Sequence, residues 1–222
     1  MVGKTGNPRS RRRFRLWSLL AFLAAIGIAS LLIIYQQNGL RTLKSGDVEL
    51  PSITLPLRFT VLSRSDTSIS GRFHFYNALG REISSFERSW NGSELYIESL
   101  GISLGKRFFV FPSRVFTDSA TAKKGTSLFP YYDQDGFPAV FDSPSLSPQT
   151  RQALATLFSR LKLSDAFFVG NPTARGVSVK DSPFFSFLGR IQREVQRFRD
   201  LEIGVAYSFR AYADGTIEVE KE

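Results

Sequence analysis

The segment EISSFERSWNGSELYIES, residues 82–99, decides the fold that the sequence predicts. Within it, Asn91-Gly92 separates two runs of residues that suit β-strands, Glu82–Trp90 and Ser93–Ser99. Asparagine and glycine both accept a positive φ angle, which a two-residue hairpin turn requires. The pattern therefore predicts two antiparallel strands joined by a tight turn.

Alternation of apolar and polar residues predicts further strands on both sides of this hairpin. One alternating run is centred on Phe59 and another on Phe73 and Phe75, as in strands that bury one face. Arg107–Phe111 adds a short strand that ends at Pro112. The first half of the domain is thus predicted to be an antiparallel meander of about five strands.

Two helices and a second hairpin are predicted after the meander. Ser147 and Pro148 form a helix start, and Ser182-Pro183 repeats it. Apolar residues at helical spacing follow each start: Leu154, Leu157, Phe158 and Leu161 in the first helix, and Phe184, Phe187, Leu188, Ile191, Val195 and Phe198 in the second. Asp214-Gly215 predicts the turn of a C-terminal hairpin. The predicted fold class is α+β: an N-terminal transmembrane helix, an antiparallel β-meander with two packing helices, and a C-terminal β-hairpin.

Residues 16–35 are apolar and predict a transmembrane signal-anchor helix. No residue from Leu16 to Leu40 carries a formal charge, and Trp17–Tyr35 would span about 28 Å as a helix, close to the thickness of a bilayer core. Basic residues without acids precede this segment, which places the N-terminus in the cytoplasm. The predicted organisation is a basic cytoplasmic tail at 1–15, the anchor at 16–35, a linker at 36–52 and an extracytoplasmic α+β domain at 53–222.

The anchor also predicts the location of the protein and its first partner, the lipid bilayer. Cleavage of a signal peptide after Ala29 is the alternative, but the apolar run continues to Tyr35 and favours a retained anchor. The predicted location is the cell inner membrane, with the C-terminal domain on the periplasmic side. Ala21, Ala25 and Ala29 form a stripe of small residues that would permit a homo-oligomer through this helix.

The net charge of +9 does not predict a nucleic-acid partner, because the charge is unevenly distributed. Six of the 29 basic residues precede Leu16 and all 20 acidic residues follow it, so the rest of the chain carries only +3. The chain has no cysteine, which excludes disulfides, thiolate metal sites and a cysteine nucleophile.

The sequence predicts no catalytic residue, metal or cofactor. His74 is the only histidine, so a centre with several histidine ligands is excluded. Asp133, Asp135 and Asp142 resemble the later part of a calcium-binding loop, but Tyr131 occupies the first ligand position. These three aspartates and Glu87 are the carboxylates of an alternative prediction, a hydrolase with acidic catalysis.

The long segment from Pro112 to Pro148 is predicted to contact a ligand or partner. It is rich in proline, serine and aspartate, and long segments of this kind are often functional. The candidate contact residues are aromatic: Trp90, Phe129, Tyr131, Tyr132 and Phe137. The alternative explanation for these aromatic residues is that they attach the segment to the core.

The predicted function is that of a single-pass, membrane-anchored protein with a non-catalytic interaction or envelope-assembly domain, whose partner is an envelope protein. One alternative is a domain that binds a glycan or a lipid through the aromatic segment 112–148. The hydrolase is the other alternative.

Overall fold

Strands dominate the computed structural model, which describes residues 53–104, 107–170 and 190–222 together with Gly27 and Leu43. The strands are β1 (Ile53–Arg64), β2 (Ser68–Tyr76), β3 (Glu82–Asn91), β4 (Leu95–Leu104), β5 (Arg107–Thr117), β6 (Thr126–Ser127), β7 (Asp133–Gln134), β8 (Phe137–Pro138), β9 (Arg190–Phe198), β10 (Ala206–Tyr212) and β11 (Ile217–Lys221). Helix α1 covers Pro148–Gly170, and short 3-10 turns lie at Ala122–Lys124, Phe129–Tyr131 and Ala139–Phe141.

The strands form two main antiparallel sheets. Sheet A has the order β11-β10-β1-β2-β3, and sheet B has the order β6-β5-β4-β9. Strands β7 and β8 form a separate two-stranded sheet. The predicted C-terminal hairpin is confirmed, because β10 and β11 pair as antiparallel neighbours.

The hairpin predicted at Asn91-Gly92 is wrong. Strand β3 pairs with β2 in sheet A, whereas β4 pairs with β5 and β9 in sheet B. Gly92 does adopt a positive φ of 120°, as the turn chemistry predicts. The turn therefore carries the chain from one sheet to the other instead of pairing the strands on either side of it.

The predicted α+β class is also wrong, because the described chain is mainly antiparallel sheet with one helix. The second predicted helix is replaced over residues 190–198 by β9, which pairs with β4, and residues 183–189 lie outside the described residues. The helical spacing of Ile191, Val195 and Phe198 does not decide the conformation of this segment. Pairing with β4 gives its backbone hydrogen-bond partners along the strand, and this tertiary contact overrides the helical spacing.

The transmembrane helix of the predicted fold class is not seen. Residues 16–35 lie outside the described residues apart from Gly27, and the described part contains no helix long and apolar enough to cross a membrane. The tail at 1–15 is likewise outside it. Of the linker predicted at 36–52, the structure describes Leu43, which is fully buried in the core.

The core lies between the sheets and beneath α1. Sheet A contributes buried rings such as Phe59 and Phe73, and sheet B contributes Phe111. The apolar stripe predicted for α1 is confirmed, since Leu154, Leu157, Phe158 and Leu161 are fully buried. Each such side chain contributes roughly 1.5–3 kcal/mol of hydrophobic free energy. The predicted helix start is confirmed as well, because the backbone N–H of Thr150 donates to the hydroxyl of Ser147 at 3.1 Å.

Candidate functional site

Three of the predicted contact residues, Phe129, Tyr132 and Phe137, are buried. Their exposed fractions are 5%, 0% and 7%. The hydroxyl of Tyr132 donates to the carbonyl of Pro112 at 2.7 Å, and its ring lies 5.5 Å from that of Phe158 on α1. Burial is also the main reason why the pKa of Tyr132 lies well above its usual range, and the charges of Asp165 and Asp133 add to it. These rings attach the segment 112–148 to the core.

Two predicted contact residues, Trp90 and Tyr131, are half-buried, as is Phe86. The rings of Phe86 and Tyr131 stack with centroids 4.1 Å apart, and Trp90 meets the ring of Phe73 edge-on at 5.7 Å. We call Phe86, Trp90 and Tyr131 the aromatic strip. It lies at β3, one of the two edge strands of sheet A among the described residues. A role of these rings in contacting a partner stays a prediction.

Hydrogen bonds fix the aromatic strip to the segment beside β3. The indole N–H of Trp90 donates to the hydroxyl of Thr126 at 3.0 Å. The hydroxyl of Ser84 donates to the backbone carbonyl of Tyr131. Because Trp90 and Tyr131 are held in this way, their half-exposed faces are presented in a fixed geometry.

Three of the four carboxylates considered for a hydrolase pair with separate cations, and the fourth, Asp135, is exposed. Asp133 pairs with Lys162, Asp142 with Arg151, and Glu87 with Arg72. Asp133 also accepts a hydrogen bond from the backbone of Gly136 at 2.8 Å. Within the described residues there is no group of three or more His, Cys, Asp or Glu side chains that could hold a metal. Each of these paired acids thus supports its own local contact.

His74 lies on β2 next to an acidic residue. Its Nδ1 atom is 3.1 Å from a carboxylate oxygen of Glu82 at the start of β3. Its ring is also 6.5 Å from that of Tyr76. This places the single imidazole on a strand of sheet A, paired with an acid at the surface.

Sequence reasoning missed a closed ring of four charged side chains from β4, β5, α1 and β9. We call Glu98, Arg114, Asp165 and Arg193 the charge ring. Arg193 donates to Glu98 at 2.8 Å and to Asp165 at 3.0 Å. Arg114 donates to Asp165 and lies 3.8 Å from Glu98. Glu98, Arg114 and Asp165 are nearly fully buried, with exposed fractions of 3%, 7% and 2%.

The charge ring is balanced in charge and uses every carboxylate oxygen that it contains. One oxygen of Glu98 accepts from Arg193, and the other accepts from the hydroxyl of Ser113 at 3.1 Å. Both oxygens of Asp165 accept from arginines. Such mutual pairing is what allows charges to be buried, because an unpaired charge there would be costly. The arrangement connects four elements and favours a structural role.

A faint signal of the charge ring was present in the sequence. Glu98 interrupts the apolar run of β4, and Asp165 falls among apolar residues late in α1. An acid in phase with a buried face needs a partner. The identity of that partner required the register of β4 with β5 and the pairing of β4 with β9, and the sequence did not predict the pairing with β9.

A shallow pocket lies where β1, β5 and β10 meet. Arg107, Phe108 and Tyr212 contribute to its lining. Neither the aromatic strip nor the charge ring borders it. The pocket therefore does not connect with the residues considered above.

No protein family, curated protein or solved structure matches the chain. Its function is therefore inferred from its own residues and contacts.

Proposed function

We propose that the chain is a membrane-attached protein whose β-rich domain binds an envelope protein through the aromatic strip, without catalysing a reaction. The observation that carries this proposal is a group of three half-buried rings at β3: Phe86 stacks on Tyr131, and Phe86 and Trp90 both contact Phe73. Tryptophan and tyrosine are enriched in protein interfaces, where an apolar ring and a polar group act together.

The rigidity of the aromatic strip supports its use as a contact surface. Phe86 stacks on Phe73 at 5.0 Å, and Tyr131 stacks on Phe75 at 5.8 Å. Rings that are already ordered lose little conformational entropy when a partner binds. A partner protein would thus gain apolar contact area at a small entropic cost.

The non-catalytic part of the proposal is supported by the use of the carboxylates. A general acid or base must reach a substrate and exchange a proton with it. Asp133, Asp142 and Glu87 instead face cationic side chains, and the charge ring occupies Glu98 and Asp165.

Attachment to the membrane is supported by the sequence. The uncharged run of residues 16–35 follows a basic tail, a combination typical of anchors with a cytoplasmic N-terminus. The proposal places the β-rich domain on the other side of the inner membrane, in reach of periplasmic envelope proteins.

The proposal can be tested by cross-linking the full-length protein in cells and identifying the proteins that co-purify in detergent. Trp90→Ser and Tyr131→Ser should each reduce recovery of the partner. Loss of an aromatic anchor at an interface costs ~2 kcal/mol, which is roughly 30-fold in affinity. Tyr76→Ser is the matched control, because Tyr76 is a half-buried tyrosine elsewhere on sheet A that contacts Arg58.

Circular dichroism should verify that every variant is folded before recovery is compared. If the folded Trp90 and Tyr131 variants retain the partner at the level of the Tyr76 variant, the aromatic strip is not the contact surface. Recovery of a bound glycan that depends on the same two residues would instead favour the second candidate, because exposed ring faces also stack on sugars.

A further inference from the structure

Strand β9 lies at one edge of sheet B and buries little apolar surface. Residues 192–195 and Arg197 are exposed, and Val195 is 47% exposed. Its apolar contacts with the core come from Ile191 and Phe198, near its two ends. Phe198 meets the ring of Phe59 edge-on at 5.4 Å. Hydrophobic burial therefore contributes less to holding β9 than it does for α1.

Arginines connect β9 to the neighbouring elements. Arg193 reaches across to Glu98 on β4 and to Asp165 on α1, at 2.8 Å and 3.0 Å. Arg197 donates to Glu94, just before β4, at 2.7 Å. Just beyond the strand, Arg199 lies 3.3 Å from the same carboxylate. Three arginines thus converge on three carboxylates outside β9.

We propose that β9 is a charge-held strap, which remains on sheet B while Glu94, Glu98 and Asp165 are ionised and separates from β4 when they are protonated. Protonation removes the charges that Arg193, Arg197 and Arg199 face. It also leaves the buried Arg114 and the exposed Arg193 in the charge ring without opposing charge, and their repulsion favours opening. The backbone pairing with β4 and the two end residues, Ile191 and Phe198, are then the main remaining contacts.

Acidic, phenolic and cationic groups face the strap from the elements packed against it. Glu94 lies just before β4, and Tyr96 and Glu98 lie on that strand. Arg114 faces the strap from β5, and Asp165 faces it from α1. The Tyr96 hydroxyl donates to Glu94 at 2.7 Å, and this bond, with Arg197 and Arg199, lowers the pKa of Glu94. The stability that Glu94 adds is therefore present above its unfolded pKa and is lost as the pH falls through its lower folded value.

The phenols near the strap do not compete with this change. The bond to Glu94 raises the pKa of Tyr96, and burial raises that of Tyr132 near Asp165. Both hydroxyls are therefore neutral across the acidic range. Release of β9 would expose the backbone of β4 along the edge that β9 now covers, and an open strand edge can pair with another chain.

Hydrogen exchange of the full-length protein in detergent, followed by mass spectrometry, tests the strap. Exchange should be measured from about pH 7 to about pH 3, across the usual carboxylate range, and corrected for the intrinsic effect of pH. On acidification, the amides by which β9 bonds to β4 should exchange at least tenfold faster, while those of β2 stay protected. Equal acceleration in β9 and β2 would indicate global unfolding and overturn the proposal.

Substitutions at neutral pH provide an independent test. Arg193→Met should accelerate exchange in β9 at least tenfold without affecting β2. Glu194→Gln is the control, because Glu194 is an exposed neighbour whose side chain contacts Gln196 on the same strand. If Arg193→Met does not fold, Arg197→Met removes the surface pair with Glu94 and should give a smaller acceleration confined to β9. Wild-type exchange in whichever of these variants folds would overturn the proposal.

Discussion

Asp118 binds the backbone at Ser93 and thereby fixes the crossing between the two sheets. The N–H of Ser93 donates to Oδ1 of Asp118 at 2.9 Å, and the hydroxyl of Ser93 donates to Oδ2 at 3.2 Å. Gly92, just before this contact, has a φ of 120°, and a Cβ atom there would meet the Asp118 carboxylate and the side chain of Thr117. The crossing is therefore held by Asp118, just after β5, and the position of its carboxylate leaves room only for glycine at residue 92.

Gly92→Ala should destabilise the domain by about 1–3 kcal/mol from backbone strain, and further through the clash with Asp118. Gly136→Ala is the matched control, because Gly136 also has a positive φ, of 85°, but has open space where its Cβ would lie. Urea unfolding measures both variants. Equal losses would show that the contact with Asp118 adds nothing to the requirement for glycine.

Asp118 should also make stability depend on pH. Burial tends to raise the pKa of its carboxyl, but hydrogen bonds from the backbone of Glu94 and Ser93 outweigh this effect and lower it. A lowered folded pKa adds stability that is present above the unfolded value, about 3.9, and is lost as the pH falls through the folded value. Asp118→Asn should lose stability at pH 7 and show a weaker decline in acid. Urea midpoints across this range would contradict the assignment if both proteins declined in parallel.

The crossing also shows why local strand signals were predicted better than pairing. Alternation around Phe73 and the positive φ of Gly92 are local properties, and both are confirmed. Whether the turn at Asn91 pairs two strands or joins two sheets depends on Asp118, which lies 25 residues from Ser93 in sequence. Sequence periodicity does not report such a distant contact.

The candidate site was predictable only in part for a similar reason. Trp90 and Tyr131 were identified as aromatic residues in polar surroundings, and they are half-buried. Tyr132 has the same surroundings in sequence, yet its hydroxyl finds the carbonyl of Pro112 and its ring is buried. Glu98 and Arg114 became recognisable as partners only once β4 and β5 were placed in register.

Removing one member of the charge ring should be strongly destabilising. Arg114→Met leaves Asp165 and Glu98 buried with Arg193 as their remaining ring cation, and loss of one partner from a buried pair costs about 3–5 kcal/mol. Arg72→Met is the control, because its pair with Glu87 is exposed and such pairs contribute about 0–1 kcal/mol. Thermal and urea unfolding report both changes. A loss for Arg114→Met as small as that for Arg72→Met would contradict a stabilising role for the ring.

Leu43 should contribute to the stability of the domain although it precedes β1. It is fully buried in the core cluster, and replacing a buried leucine by alanine costs about 2–5 kcal/mol. Leu79→Ala is the matched control, because Leu79 is 50% exposed. Unfolding of the two full-length variants should differ accordingly. Unchanged stability of Leu43→Ala would mean that the domain does not depend on this residue.

The proposed orientation in a membrane can be tested with single cysteines, because the chain contains none. Leu79→Cys places a thiol at an exposed position of the domain, and Gly3→Cys places one in the basic tail. Basic residues are retained on the cytoplasmic side, so a maleimide that cannot cross membranes should label the Leu79→Cys variant but not the Gly3→Cys variant in intact spheroplasts. Both variants should become reactive after detergent is added, which confirms that each thiol is accessible. Labelling of the Gly3→Cys variant alone in intact spheroplasts would reverse the orientation. Labelling of neither variant would place both the basic tail and the domain in the cytoplasm.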